Sequence, residues 1–261
     1  MPGFEPGSKA HADFIETAKR AGLNPEDPWV GHYVEYEWHH LRHLIINYGL
    51  DVRGKDLLEF GCNVGGSAIV LAGLGASVTA IDVDRDLLSV AKANAARYGF
   101  ARAIELLQIA EGDALPLESA SYDFVIANSV LEYVHAGHLR NVIGEFYRVL
   151  RPGGALLIAG TASRLTLREG HSRRWLVNYL PRLLDVLADR PLQRGLSPFR
   201  LHRILSSEFD LDSGEAWLRV REAIHGNATP AMRALASVAK VFGISPGWFT
   251  PNIEVLARKP I

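Results

Sequence analysis

The chain has one cysteine, Cys62, in 261 residues, so no intrachain disulfide can brace it and a reducing compartment is expected. Net charge is nearly absent: 28 Lys and Arg stand against 29 Asp and Glu. That excludes the basic footprint of a general nucleic-acid binder. Long apolar runs are missing too, with none approaching the roughly 18 residues that read as a membrane span. The opening Met1-Pro-Gly-Phe-Glu-Pro-Gly7 is followed by no apolar h-region, so a cytoplasmic protein is the expectation. No internal repeat or low-complexity tract is visible. The 48% of hydrophobic residues can furnish an ordinary core, and the length suits one α/β domain with additions or two small domains.

What is present is a rhythm. Short apolar runs at 56–60, 77–82, 103–108, 122–127 and 155–160 alternate with amphipathic stretches at 66–74, 85–98 and 138–150. Strands alternating with helices argue for a parallel sheet covered on both faces. Helices are expected before it at 9–22 and 28–49. The Pro152-Gly-Gly154 turn reads as a break before the fifth strand. After Thr161 the alternation stops: helices are expected at 173–189, 197–207 and 229–242, a strand-like piece near 210–221 and a closing strand at 253–257. Ser197-Pro198 and Thr229-Pro230 read as helix starts.

The most informative stretch is Asp56-Leu-Leu-Glu-Phe-Gly-Cys-Asn-Val-Gly-Gly66, an apolar strand running into a glycine-rich turn and a helix. Gly61 and Gly65 let backbone approach a ligand, and the helix from Gly66 leaves its first amides open to a carboxylate. Asp82 closes the next apolar run, about 20 residues on, where an acid can take the ribose hydroxyls of a nucleoside lying across the strand ends. A nucleoside-bearing cofactor follows.

Together with its companions, this stretch resembles the class I S-adenosylmethionine-dependent methyltransferases over about residues 50–160. Glu59-Phe-Gly61-Cys-Asn63-Val-Gly65-Gly66 looks like the family's first motif. Asp82, with Val83 beside it, looks like its ribose-binding acid, and Gly112-Asp113-Ala114 like the segment that contacts adenine. Tyr122-Asp-Phe-Val-Ile-Ala-Asn128-Ser-Val-Leu-Glu-Tyr133 is similar to the fourth-strand motif, and Phe146-Tyr-Arg-Val-Leu-Arg-Pro-Gly-Gly154 to the helix and turn before the fifth strand. The resemblance implies an α/β, Rossmann-like, mostly parallel seven-stranded sheet with helices on both faces. An N-terminal helical cap (1–50) precedes the cofactor-binding core (51–160). Lid helices and terminal antiparallel strands (161–261) complete the sheet.

The same resemblance implies S-adenosyl-L-methionine as cofactor, held by Glu59, Gly61, Asn63, Gly65, Asp82, Val83, Asp113, Ala114 and Asn128. It implies methyl transfer to a small-molecule acceptor, O-methylation ahead of N- or C-methylation, with no nucleic acid as partner. Asn63 departs from the family's usual glycine, but asparagine tolerates a left-handed backbone better than most residues. Two alternatives stand beside this reading. An NAD-dependent oxidoreductase shares a glycine turn and a distal acid, but Gly61-Cys-Asn-Val-Gly-Gly66 misses the second glycine of G-x-G-x-x-G, where pyrophosphate nears the backbone. A non-catalytic S-adenosylmethionine-binding relative is the other, since the cofactor residues stand out more than any catalytic group.

His135 is the candidate catalytic base, placed just beyond the fourth-strand motif where the methyl group is expected to point. The family's frequent histidine after the Leu-Glu pair is Tyr133 here, so position rather than motif nominates His135. His171 is a further candidate, in the lid. His39, His40 and His43 with Glu35 and Glu37 show neither an H-E-x-x-H pattern nor a third ligand at metal spacing, so no metal is expected. The 29–48 helix is instead expected to pack Trp38, Leu41, Leu44 and Ile45 on the sheet and to present Tyr33 or Tyr36 near the cofactor. Cys62 reads as a small buried residue of the turn. Nine arginines between 161 and 210 (Arg164, Arg168, Arg173, Arg174, Arg182, Arg190, Arg194, Arg200, Arg203) wet helix faces or clamp a substrate anion. Trp175, Leu176, Tyr179 and Leu180 are candidates for an apolar or aromatic substrate pocket or for the core.

Overall fold

The computed structural model describes residues 1–112, 114–168, 174–180 and 194–261. Its centre is a seven-stranded sheet: β1 (Asp56–Phe60), β2 (Ser77–Asp82), β3 (Ile104–Gln108), β4 (Tyr122–Asn128), β5 (Leu150–Ala162), β6 (Asp210–Leu211) and β7 (Asn252–Arg258), in the order β3-β2-β1-β4-β5-β7-β6. The first five run parallel, while β7 lies antiparallel between β5 and β6. Leu57 and Leu58 are both fully buried, on opposite faces. That two-sided burial is why the central strands read as unbroken apolar runs.

One face of the sheet carries α2 (Tyr33–His39), α3 (Leu41–Asn47), α4 (Gly66–Gly73) and α8 (Trp217–His225), with Leu41, Leu44 and Ile45 in the core and Trp38 packed against it. The other carries α6 (Leu139–Val149) and α7 (Pro198–Leu205), centred on Phe146, Ile143 and Leu201. The remaining helices are α1 (Lys9–Arg20), packed on α5 (Arg85–Arg97), and α9 (Pro230–Val241). The two Ser/Thr-Pro starts cap as their chemistry dictates: Ser197 accepts from the Arg200 amide and Thr229 from the Met232 amide. Among the described residues no helix is long and apolar enough to cross a membrane.

Four expectations change. The 28–49 helix is two short helices broken at His40 (φ −117°, ψ −72°), which lets α2 lie along α4 while α3 lies along α8. The strand expected over 210–221 ends at Leu211. Gly214 turns with φ +80°, and α8 follows. Trp217 and Val220 are fully buried there, with Ile224 on the same face, so packing at three-to-four spacing overrides a Trp/Leu/Val composition that also suits a strand. Pro152-Gly-Gly154 does not precede β5 but lies inside it, accommodated by a register shift between the Tyr122–Leu150 and Phe124–Ala155 pairs. Of the helix expected at 173–189, residues 173 and 181–189 lie outside the described residues, and Val177–Tyr179 forms a single 3-10 turn.

Phe146 is fully buried and meets Phe60 edge-on at 5.0 Å between ring centroids. Phe146→Ala is expected to cost about 3–5 kcal/mol of stability, through lost transfer energy and the cavity left behind, read as a lower urea midpoint at unchanged slope.

Candidate cofactor and acceptor site

Strand order reverses between β1 and β4, whose connections leave in opposite directions, and a crevice opens at their carboxyl ends. A cavity of about 770 Å³ occupies it, walled by Gly61, Asn63, Asp82, Val83 and Asn128 and, toward the mouth, by Trp29, Tyr33, Tyr36 and Tyr133. The turn after β1 creates this space. Gly61, Asn63 and Gly65 have φ of 76°, 50° and 77°. A Cβ on Gly61 would lie 2.2 Å from Val130 Cγ2, so glycine is demanded there by crowding as well as by backbone. Gly65 caps α4, and the Ala68 amide in the first turn of that helix donates to Glu59. Cys62 is buried in the turn, and burial pushes its thiol well above the ordinary value.

Asp82 is aimed by the same turn. Its Oδ2 accepts from the Asn63 amide (2.8 Å) and its Oδ1 from the Asp84 amide (3.1 Å), leaving acceptor capacity on each oxygen for a ligand hydroxyl. Val83 is half exposed on the wall next to it. Asp84 then caps α5 through the amides of Asp86 and Leu87.

Beneath the cavity floor lies a buried polar chain. Asn128 Nδ2 donates to Glu37 Oε1 (2.9 Å) and to Ser67 Oγ (3.1 Å). Ser67 also hydrogen-bonds Glu59, as does the Ala68 amide, and Glu37 takes bonds from Tyr33 and the Leu41 amide. Glu59 Oε2 has no partner among the described residues. Burial, and next the charge of Glu37, hold the Glu59 carboxyl well above the ordinary value. Burial raises Glu37 to about 7, against the lowering effect of its hydrogen bonds. Two carboxyl groups in one dry space cannot both ionise cheaply, which is why both are held above the ordinary value.

Other residues singled out in the sequence fall elsewhere. Asp113 lies outside the described residues, as do His171, Arg173, Arg182 and Arg190. Ala114 is exposed and off the wall, because the Leu115 amide is held by Glu145 (2.7 Å) and turns Leu115 inward instead. His135 is exposed on the turns after β4, with Nδ1 accepting from the Gly137 amide and its ring 5.6 Å from that of His138, which lines the cavity where His135 does not. Leu131 is fully buried and Glu132 buried, and the Glu132 carboxylate accepts from the Ala162 amide, which anchors the segment that carries His135.

His138 packs on Gly112, next to the segment expected near adenine. Trp175, Leu176, Tyr179 and Leu180 are surface residues off the wall. Arg164, Arg194 and Arg200 are spent on the carbonyls of Asn178, Val177 and Ala136. Sequence reasoning passed over Ser67 and Gly160, and it considered Glu37 only with the neighbouring histidines. A glycine at the end of an apolar strand was the available signal for Gly160, where a Cβ would sit 2.2 Å from Ser129 Oγ.

Residues 58–158 match the family model described as a methyltransferase domain. A ribosomal protein L11 methyltransferase of Sorangium cellulosum is 32% identical over 57% of this chain and 43% of its own length. A malonyl-[acyl-carrier protein] O-methyltransferase of Enterobacter lignolyticus is 27% identical over 70% of this chain and 63% of its own. The chain spans less than half the length of the curated relatives that it matches above 30% identity. The solved structure of an S-adenosylmethionine-dependent methyltransferase from Aquifex aeolicus superposes with a TM-score of 0.51 at 16% identity, over 76% of this chain and 89% of that one, which shows a common fold.

The buried carboxyl of Glu37 has a consequence for stability. Its folded-state value, about 7, lies above the ordinary 4.5, so its contribution is full below about pH 4.5 and is lost as pH rises through 7. The loss is on the order of 3 kcal/mol. Glu37→Gln is expected to reduce the pH 5 to pH 8 fall in unfolding free energy by about 2–3 kcal/mol, measured by urea titration at both pH values.

Proposed function

We propose that residues 58–158, which match a methyltransferase domain, are of the class I, S-adenosylmethionine-dependent kind, and that the protein transfers a methyl group to a hydroxyl of a small, neutral acceptor. One observation carries the proposal: a cavity of about 770 Å³ at the strand-order reversal, lined by the left-handed glycine turn and by Asp82.

The residues present fit the cofactor. Asp82 keeps free acceptor capacity for the ribose, Glu59 Oε2 is a buried acceptor without a partner among the described residues, and the Gly61–Gly65 turn brings bare backbone to the crevice. Glu59, Gly61, Asn63, Gly65, Asp82, Val83 and Asn128 would hold it, with Asp113 the proposed adenine contact. When bound, the cofactor supplies an electrophilic methyl on a sulfonium.

The acceptor reading rests on the walls. The cavity volume, about 770 Å³, is that of a site for a cofactor and a compact partner. Its charged wall residues are Asp82, Glu111 and Glu145, and no described Lys or Arg lines it, which disfavours an anionic acceptor. Trp29, Tyr33, Tyr36 and Tyr133 offer flat apolar contact. Holding the two reactants aligned is worth roughly 7–11 kcal/mol, against about 3–5 for a general base, so a His135 off the cavity wall is no obstacle. The relative named for ribosomal protein L11 suggests a protein acceptor. Aromatic residues around the mouth favour a small molecule over an extended chain.

Isothermal titration with S-adenosylhomocysteine is expected to show binding, and Asp82→Ala to weaken it at least tenfold; an unchanged dissociation constant would move the site elsewhere. His135→Ala is expected to keep turnover within about twofold of wild type, since the residue is exposed and does not line the cavity.

A further inference from the structure

We propose that Glu37, on a helix that precedes the sheet, is a positioning residue: it locks Asn128 with the amide oxygen toward the cavity as acceptor for the ammonium group of the bound cofactor. The inference rests on the cofactor reading above and assigns a role to a residue outside the region matched by the family model, residues 58–158.

The donors and acceptors around Asn128 set its orientation. A side-chain amide has two N–H donors and one oxygen. Both donors of Asn128 are spent, on Glu37 Oε1 at 2.9 Å and Ser67 Oγ at 3.1 Å. The oxygen must then face away from both, and no hydrogen bond among the described residues reaches it. It points past Gly160, where a Cβ would lie 2.9 Å from it, and both Asn128 and Gly160 line the cavity. Glycine at 160 therefore keeps the approach to this oxygen clear. Glu37 is only 3% exposed and does not line the cavity, so it acts through Asn128 and not by contact.

An ionised Glu37 can only accept, which fixes the amide in one sense. A protonated Glu37 carries a donor, and the amide gains by turning its oxygen inward, which would present N–H groups to an ammonium. The groups facing Glu37 are Tyr33 and Tyr36 on α2 and Glu59 on β1; α4 and β4 bring the non-titrating Ser67 and Asn128. His40 is turned to the Tyr36 carbonyl and Arg221 to Glu254, so neither cation competes. With the Glu37 carboxyl near 7, protonation and loss of the ammonium acceptor occur as pH falls through neutrality.

The test compares S-adenosylhomocysteine with 5′-methylthioadenosine, which keeps the nucleoside and lacks the amino-acid arm. Dissociation constants for both are measured by calorimetry from pH 6 to 8. In the wild type the preference for S-adenosylhomocysteine is expected to fall at least fivefold from pH 8 to pH 6, while 5′-methylthioadenosine affinity stays within twofold. Glu37→Gln is expected to weaken S-adenosylhomocysteine at least tenfold at pH 8, to leave 5′-methylthioadenosine within twofold and to abolish the pH dependence. Ser67→Ala, which removes the second acceptor, is expected to shift the preference the same way by a smaller factor.

A wild-type preference that is flat with pH overturns the proposal even if no variant folds. So does a Glu37→Gln protein that weakens both ligands equally, which marks a structural role. A wild type that binds neither ligand overturns the cofactor reading itself, a result distinct from failure of Glu37 alone.

Discussion

The turn that follows β1 must leave the sheet with no side chain in its way, and the rest of the site is arranged around that constraint. Three of its residues adopt left-handed backbone, and one of them has Val130 where a Cβ would go. The turn's amides aim Asp82, its exit sets the start of α4, and α4 delivers Ser67 to the floor. Asn63 meets the conformation at an asparagine's small cost rather than a glycine's smaller one. A strained turn of this kind is retained because the ladder on either side, β2 and β4 on β1, over-determines it.

The second theme is charge of one sign in a dry place. Glu37 and Glu59 are each no more than 3% exposed, and neither has an ion-pair partner among the described residues. Elsewhere the molecule neutralises its acids locally: Arg151 bridges Asp56 and Asp123 at the opposite end of the sheet, and Arg221 meets Glu254. The contrast separates acids neutralised by an arginine from two whose carboxyls are met only by hydrogen-bond donors without full charge. Keeping them costs stability, a pattern expected where function rather than packing sets the residue.

The core was legible because its signals are local. Strands buried on both faces write themselves as apolar runs, Ser197-Pro198 and Thr229-Pro230 carry their own caps, and the glycine turn announces its backbone. The regions that escaped depend on distant partners. Whether Trp217 and Val220 belong to a strand or a helix is decided by α3, more than 160 residues earlier in the chain. The break at His40 is invisible in a stretch that is amphipathic throughout. Glu37 reads as one more polar residue among histidines until the fold turns it inward toward Asn128, 91 positions away. His135 was placed from its position after the fourth strand and Ala114 from a motif resemblance, and each is exposed near a buried neighbour, Leu131 or Leu115.

Arg97 has a bearing on how the opening segment is held. Its guanidinium stacks 3.5 Å over Phe4 and 4.5 Å from Phe14, and Pro2 rests against Gly73 at the distal end of α4. The opening segment is thereby clamped about 10 Å, one helix length, behind the crevice. Loss of Phe4 would uncover the guanidinium of Arg97, a residue otherwise only 6% exposed, and loosen the hold of this segment on α5.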